Sequence, residues 1–146
     1  MIVGVMRHAR AEPKSPGLPD SERRLTEEGR RQAESIARLL PWRPSRIVSS
    51  PYRRALETAE VIARETGAPL EVSELLAPDS FNLEAFKKLA ADGVLLVGHA
   101  PSVEEVVGGI LGCRVKMKTA SVAVMEVEGD GSATLLALLL PPGSKL

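Results

Sequence analysis

The chain has little of several features that would define other classes of protein. It contains a single cysteine, Cys113, which excludes an internal disulfide bond and suits a reducing compartment. Its formal net charge is zero, which gives no global basic field for nucleic acid or membrane surfaces. No apolar run is long enough to cross a membrane, and the five apolar residues before Arg7 are too few for a signal-peptide core. We therefore expect a cytoplasmic protein with neither a nucleic-acid nor a membrane partner.

Amide side chains are also scarce, since Gln32 and Asn82 are the only two in the chain. Glutamate and arginine are abundant by comparison, and there are eleven prolines. This composition favours a thermophilic source. The length of 146 residues fits a single domain, residues 1–146, that buries about 70% of the surface of its unfolded chain.

Strand and helix patterns alternate along the chain without a linker or an internal repeat. Unbroken apolar runs predict buried strands, and apolar stripes at helical spacing predict helices between them. The predicted strands are 2–6, 46–49, 70–72, 94–97, 121–127 and 133–140, of which the last two form a hairpin around the turn at 128–131. The pattern predicts an α/β fold. It is a three-layer sandwich with a mostly parallel central sheet, an antiparallel edge and helices on both faces.

Capping residues set the predicted helix boundaries. Thr26 is the expected N-cap of a helix over 27–40, and Ser50-Pro51 is read as N-cap plus first-turn proline of the next helix, which Gly67 ends. Asn82 caps a third helix that runs towards Gly93. Ser102 and Glu105 form a predicted capping box for a fourth helix, with Gly112 beyond its end.

The only two histidines follow two of the predicted buried strands. Arg7-His8 follows the first strand, and His99 follows the run 94–98. Groups beyond the carboxyl ends of parallel strands share one crevice, so the two imidazoles and at least one arginine should meet there. Arg54 lies in the first turn of a helix, and helix N-termini and guanidinium groups both favour phosphate oxygens. Because nearby positive charge disfavours imidazolium, one imidazole can stay neutral at pH 7 and act as a nucleophile.

Four segments, in this order along the chain, resemble the histidine phosphatase superfamily, which has the phosphoglycerate-mutase-like fold. They cover nearly the whole chain, although no single one is decisive. The segments are Arg7-His8-Ala9 with Ala11-Glu12; Arg23-Arg24-Leu25-Thr26-Glu27-Glu28-Gly29; Ser50-Pro51-Tyr52-Arg53-Arg54-Ala55 with Thr58; and Gly98-His99-Ala100-Pro101. The short length and the Arg-x-Leu-Thr segment are most similar to the SixA-type phosphohistidine phosphatase branch.

The resemblance implies a role for each matching residue. His8 would be the nucleophile, and His99 would stabilise charge in the transition state. Arg7 and Arg54 would bind the phosphoryl oxygens, with Arg23 near the rim of the pocket. The sequence departs from the commoner pattern in two places: Ala9 replaces glycine, and Ala100 replaces an asparagine that supplies a phosphate contact in many relatives.

Several other residues have simpler interpretations. Arg53 is expected to be a solvated helix residue, and Cys113 a small core residue. The two histidines have no cysteine or acidic partner at a spacing typical of zinc sites, so we expect no metal and no other cofactor. Glu74 and Asp79 are the candidate general acids near the expected rim, although an exposed loop carboxylate is the simpler interpretation of each.

The absence of a clear general acid favours one class of substrate. An alkoxide leaving group needs a proton, whereas phosphohistidine can lose a neutral imidazole. The segment 55–98 is also too short for a large helical lid in addition to its predicted elements. We therefore expect a metal-independent phosphatase acting through phospho-His8 on a phosphorylated protein, with phosphate- or sulfate-like anions as ligands. The alternatives are a small-molecule phosphomonoesterase acting on a phosphoester and a non-catalytic phosphate-binding module.

Overall fold

A computed structural model describes all residues 1–146, and it has a single six-stranded sheet between two layers of helices. The strands are β1 Ile2–Arg7, β2 Arg46–Ser49, β3 Leu70–Val72, β4 Val94–Gly98, β5 Val122–Val127 and β6 Ala133–Leu139. The helices are α1 Glu27–Leu39, α2 Arg53–Thr66, α3 Leu83–Leu89 and α4 Ser102–Leu111, with short 3-10 turns at Asp20–Glu22 and Glu74–Leu76. No helix combines the length and the apolar character needed to cross a membrane.

The sheet has the order β3-β2-β4-β1-β5-β6. Pairing is parallel from β3 to β1, while β5 pairs with β1 and β6 with β5 in antiparallel fashion. The predicted mostly parallel sheet with an antiparallel edge is therefore confirmed.

Both faces of the central strands are covered, as the unbroken apolar runs predicted. Val3 and Val5 pack in a core with buried residues of α3 and α4, while Met6 packs in a second core with α1 and α2. All five residues of β4 are buried, because this central strand has a hydrophobic core on each of its faces. Each face of the sheet thus has its own hydrophobic core, which confirms the three-layer arrangement.

Three local predictions are wrong. The second helix begins at Arg53 with Tyr52 as its N-cap, and Ser50 is placed before it, at the end of β2. Ser102 is the first residue of α4 rather than its cap, so no capping box forms there. Cys113 is exposed, because it lies in the turn after α4, which Gly112 ends in the left-handed conformation.

Other boundaries are close to those predicted. Thr26 caps α1 by accepting the N–H of Gly29, and Gly67 ends α2 with a φ of 77°. The third helix is shorter than predicted: it is capped by Asn82 but ends at Leu89, four residues before Gly93.

Candidate active site

The register of the central strands brings the two histidines together. Arg7 of β1 pairs with Gly98 of β4, so the residues that follow, His8 and His99, leave the sheet at the same level. The backbone N–H of His8 donates to Gly98 O at 3.0 Å. The two imidazole ring centres are 5.2 Å apart, with their planes inclined by 59°. The predicted meeting of the two imidazoles is therefore present in the structure.

The hydrogen bonding of His8 determines its tautomer. Its Nδ1 is 2.7 Å from the carbonyl oxygen of Ala9, which can only accept, so Nδ1 carries the proton of the neutral ring. The lone pair is then on Nε2. The N–H of Ala9 in turn donates to Thr58 Oγ1 at 3.0 Å, and Thr58 donates to Arg54 O at 2.7 Å. Helix α2 thus fixes the position of Ala9, whose carbonyl group orients the His8 ring.

Both imidazoles are neutral at pH 7. Desolvation, assisted by the positive charges of Arg54, Arg7 and Arg23, lowers the pKa of His8 to about 4, although the bond to Ala9 O works in the opposite direction. Burial, followed by the influence of His8 and Arg54, lowers the pKa of His99 to about 3. A neutral His8 with a free Nε2 has the electronic form of a nucleophile at physiological pH.

Asp20 links two of the predicted site arginines. Arg54 donates from Nη1 to Asp20 O at 2.8 Å and from Nη2 to Asp20 Oδ2 at 3.2 Å, and Arg23 donates from Nε to Asp20 Oδ1 at 2.8 Å. Although burial works against ionisation, hydrogen bonds and charges from Arg23 and Arg54 hold the pKa of Asp20 below its usual value. The sequence placed Arg23 near the rim of the pocket, whereas in the structure Arg23 and Arg54 share the same carboxylate.

Arg54 and Arg7 both have donor capacity left for a ligand. The side chain of Arg54 is only 6% exposed, its guanidinium lies 5.1 Å from the ring centre of Tyr52, and its Nε has no partner. Arg7 donates from Nη1 to Met117 O at 2.9 Å, and its buried Nε is also unpartnered. Buried guanidinium groups with unused N–H donors are suited to an oxyanion. We refer to His8, His99, Arg7, Arg54 and Arg23 together as the histidine site.

His99 has a hydroxyl partner that sequence reasoning assigned to another role. Its Nε2 is 2.8 Å from Ser50 Oγ, and Ser50 Oγ also accepts the N–H of Tyr52 at 3.1 Å. The other ring nitrogen, Nδ1, is buried without a partner. If the Ser50 hydroxyl donates to Nε2, a neutral His99 carries its own proton on Nδ1, where it is a free donor.

Sequence reasoning missed the acidic residues that support the arginines. Besides Asp20, Glu104 in the first turn of α4 accepts the N–H of Met117 at 2.7 Å, and Met117 is the residue whose carbonyl holds Arg7. No local pattern could have identified these contacts, because Glu104 and Arg7 are joined through a loop that is distant in sequence. Asp20 lies in a loop without helical or strand periodicity.

The remaining candidates are less closely associated with the site. Arg53 ion-pairs with Glu57 at 3.3 Å and with Glu22 at 3.4 Å on the exposed side of α2, as expected for a solvated helix residue. Glu74 begins the 3-10 turn after β3, and Asp79 is an exposed residue with a φ of 66°. Neither carboxylate has a hydrogen bond or ion pair to a residue of the histidine site, so their role as general acids stays a prediction. No group of three or more His, Cys, Asp or Glu side chains is arranged to hold a metal.

Comparison with known proteins identifies relatives in sequence and in fold. Residues 3–83 match the family profile of the histidine phosphatase superfamily, branch 1. A phosphohistidine phosphatase SixA homologue of Haemophilus influenzae is 29% identical over 93% of this chain and 94% of its own length.

Two solved structures share the fold over almost their whole length. One is the protein histidine phosphatase SixA complexed with tungstate, which has a TM-score of 0.84 at 24% identity and covers 97% of both chains. The other is a SixA from Agrobacterium tumefaciens, described as a putative phosphohistidine phosphatase. It has a TM-score of 0.83 at 28% identity and covers 96% of this chain and 97% of its own.

Proposed function

Because the chain belongs to the histidine phosphatase superfamily, we propose that it is a metal-independent phosphatase that forms a covalent phosphohistidine at His8. The observation that carries this proposal is the state of His8. Its Nδ1 is bonded to Ala9 O, its pKa is lowered to about 4, and its Nε2 lone pair is free beside His99 and the arginines. A neutral and oriented imidazole among fixed positive charges is what attack on a phosphoryl group requires.

The proposed reaction has two steps. In the first, the Nε2 lone pair of His8 forms a bond to phosphorus, and the bond from phosphorus to the leaving group breaks. In the second, water attacks the phosphohistidine, phosphate is released and the His8 ring regains its lone pair. Arg7, Arg54 and Arg23 balance the charge on the phosphoryl oxygens, and His99 donates to an oxygen as charge develops. The tungstate bound by the similar SixA supports a phosphate-like anion as ligand of this chain as well.

We propose protein phosphohistidine as the substrate class. A phosphohistidine that is protonated on its second nitrogen loses a neutral imidazole, so it needs no positioned acid, and neither Glu74 nor Asp79 contacts the histidine site. Between Arg54 and His99 the chain forms only the rest of α2, the short β3, one 3-10 turn, the seven-residue α3 and the central strand β4. This segment leaves little chain to enclose a small molecule, and an open site suits a phosphoryl group carried by another protein.

A substrate comparison in the presence of a chelator tests the proposal. Turnover is measured with a histidine-phosphorylated protein, an aryl phosphate and an alkyl phosphate, and the phosphoenzyme is trapped at alkaline pH and tested for acid lability. We expect the order phosphohistidine, aryl phosphate, alkyl phosphate, with no loss from chelation. A preference for the alkyl phosphate would show that an acid such as Glu74 or Asp79 is in place and would favour a phosphomonoesterase. Binding of phosphate without any turnover would indicate a binding module instead.

A further inference from the structure

A groove of about 750 Å³ lies next to the histidine site, and no hydrophobic residue lines it. Its walls come from the segment after β1, the first half of α1, the loop before β5 and the segment after β6. Glu28 is its only carboxylate. The cationic side chains that line it are Arg7, Arg10, Arg31, Lys118 and Lys145. We call this surface the basic groove.

The positive charge of the basic groove is available to a ligand. Lys118 and Lys145 have no ion-pair partner among the acidic residues of the chain. Arg10 pairs with Glu28 at 3.2 Å and Arg31 with Glu27 at 3.6 Å, but all four of these side chains are more than half exposed. Such exposed pairs contribute little and are readily exchanged for another anion. In a chain of zero net charge, the excess of cations here is a local feature.

The lining indicates the chemistry of the occupant. Pockets for organic small molecules are lined mostly by hydrophobic and aromatic side chains, whereas the basic groove has only Pro141, Pro142 and Gly143 beside its polar and charged residues. It also has no aromatic side chain on which a nucleic-acid base could stack. Several separated cations in a hydrated groove are complementary to the carboxylates of a protein segment.

The basic groove is connected to the histidine site through Arg7. This arginine directly precedes His8 in the chain, and it also lines the groove. A chain whose phosphoryl group reaches His8 can therefore extend past Arg7 into the groove. We propose that the basic groove binds an acidic segment of the phosphoprotein substrate adjacent to its phosphohistidine, an inference that rests on the proposed function.

The test uses a histidine-phosphorylated peptide flanked by a run of glutamates and the same peptide flanked by glutamines. The groove variant is Lys118→Gln with Lys145→Gln. The matched control is Lys87→Gln with Lys88→Gln, which removes the same charge from exposed residues of α3, on the opposite layer of the fold. Turnover of an aryl phosphate reports the histidine site. Binding of the unphosphorylated glutamate peptide, followed by fluorescence anisotropy, reports the groove independently of any reaction.

We expect the groove variant to bind the glutamate peptide about five- to tenfold more weakly, with a matching fall in kcat/KM for its phosphorylated form. Aryl phosphate turnover and the control variant should be unchanged, and the preference for glutamate should fade as salt is added. Equal binding of the two peptides, or equal loss in both variants, would overturn the proposal. So would groove-dependent binding of pyrophosphate or a single-stranded oligonucleotide without binding of the peptide. Failure of the proposed function is a separate result, because it would abolish phosphopeptide turnover without affecting anisotropy.

Discussion

The hydroxyl of Thr58 accepts the backbone N–H of Ala9 at 3.0 Å, and this bond joins helix α2 to the residue after the proposed nucleophile. Both groups are buried. Since Ala9 O accepts the Nδ1 proton of His8, the position of the Ala9 peptide determines where Nε2 points. We therefore expect Thr58 to be a positioning residue that needs no contact with the substrate.

Replacing Thr58 tests this role. Thr58→Val leaves the Ala9 N–H buried without a partner, which should lower the free energy of unfolding by about 1–3 kcal/mol and lower kcat more than it raises KM. Thr58→Ser keeps the hydroxyl and should recover most of kcat. Denaturant titrations and steady-state kinetics on an aryl phosphate measure both effects. Equal kcat values for the valine and serine variants would contradict the positioning role.

Removal of the proposed nucleophile should abolish catalysis without unfolding the protein. We expect His8→Ala to lose at least about three orders of magnitude in kcat and all of the trapped phosphoenzyme. Because the ring of His8 makes one hydrogen bond to the protein, the cost in stability should be only about 0.5–1.5 kcal/mol. Circular dichroism serves as the control for folding. A folded variant with more than about a tenth of the wild-type rate would exclude His8 as the nucleophile.

The adjacent arginines of α2 should differ sharply in importance. Arg54 is buried and has an unused Nε donor, whereas Arg53 is 38% exposed and paired with two glutamates. Arg54→Ala should lose at least about 2 kcal/mol of transition-state stabilisation, calculated from kcat/KM, and Arg53→Ala much less. A crystal soaked in tungstate offers a second measurement. An anion found on Arg53 instead of Arg54 would reverse the assignment.

Two adjacent glutamates of α4 offer a further matched pair. Glu104 holds the N–H of Met117, whose carbonyl holds Arg7, whereas Glu105 is exposed. Glu104→Ala should free the loop, misplace the Arg7 guanidinium and raise the inhibition constant of inorganic phosphate several-fold. Loss of the charged hydrogen bond should also lower the free energy of unfolding by about 1–3 kcal/mol. Glu105→Ala should leave phosphate inhibition unchanged. An unchanged inhibition constant in the Glu104 variant would mean that Met117 positions Arg7 without help from Glu104, and an equal rise in both variants would mean that the effect is not specific to Glu104.

The protonation of both histidines can be observed directly, because the chain contains no others. With folded pKa values of about 4 and about 3, neither imidazole signal should titrate between about pH 5.5 and 7.5 in NMR spectra. In the unfolded chain both titrate near pH 6.5. Between the folded and unfolded pKa values the unfolded state binds more protons, so the contribution of the two histidines to stability rises from about pH 3 to 6.5 and is then constant. A histidine signal that titrates near pH 6.5 in the folded protein would contradict the prediction.

Much of the fold could be predicted because its signals are local. The run 94–98 is buried on both faces, and its unbroken apolar character gave the central strand directly. The proximity of His8 and His99 then followed, because groups beyond the carboxyl ends of parallel strands share one crevice. Local sequence patterns failed at Ser50. A serine before a proline is typical of a helix N-cap, whereas here the Ser50 hydroxyl bonds to His99. The local sequence around Ser50 cannot reveal a partner that lies 49 residues away.

The supporting shell of the site could not be predicted for a related reason. Asp20 is in a loop without periodicity, and its partners, Arg23 and Arg54, reach it from two different elements. Glu104 acts on Arg7 only through the backbone of Met117. Such contacts depend on the path of loops in three dimensions, and a residue's type does not encode that path.

The pairing of Arg7 with Gly98 has a consequence for how the protein loses activity. The two histidines are attached to the ends of neighbouring strands in the middle of the sheet, so no loop movement can separate their backbones while β1 and β4 remain paired. Central strands open only at the free energy of global unfolding, whereas loops and edges open more easily. The backbones of the two histidines should therefore stay together until the sheet itself unfolds. On heating, any loss of activity before the sheet unfolds should come from the loop-supported arginines and not from separation of the two histidines.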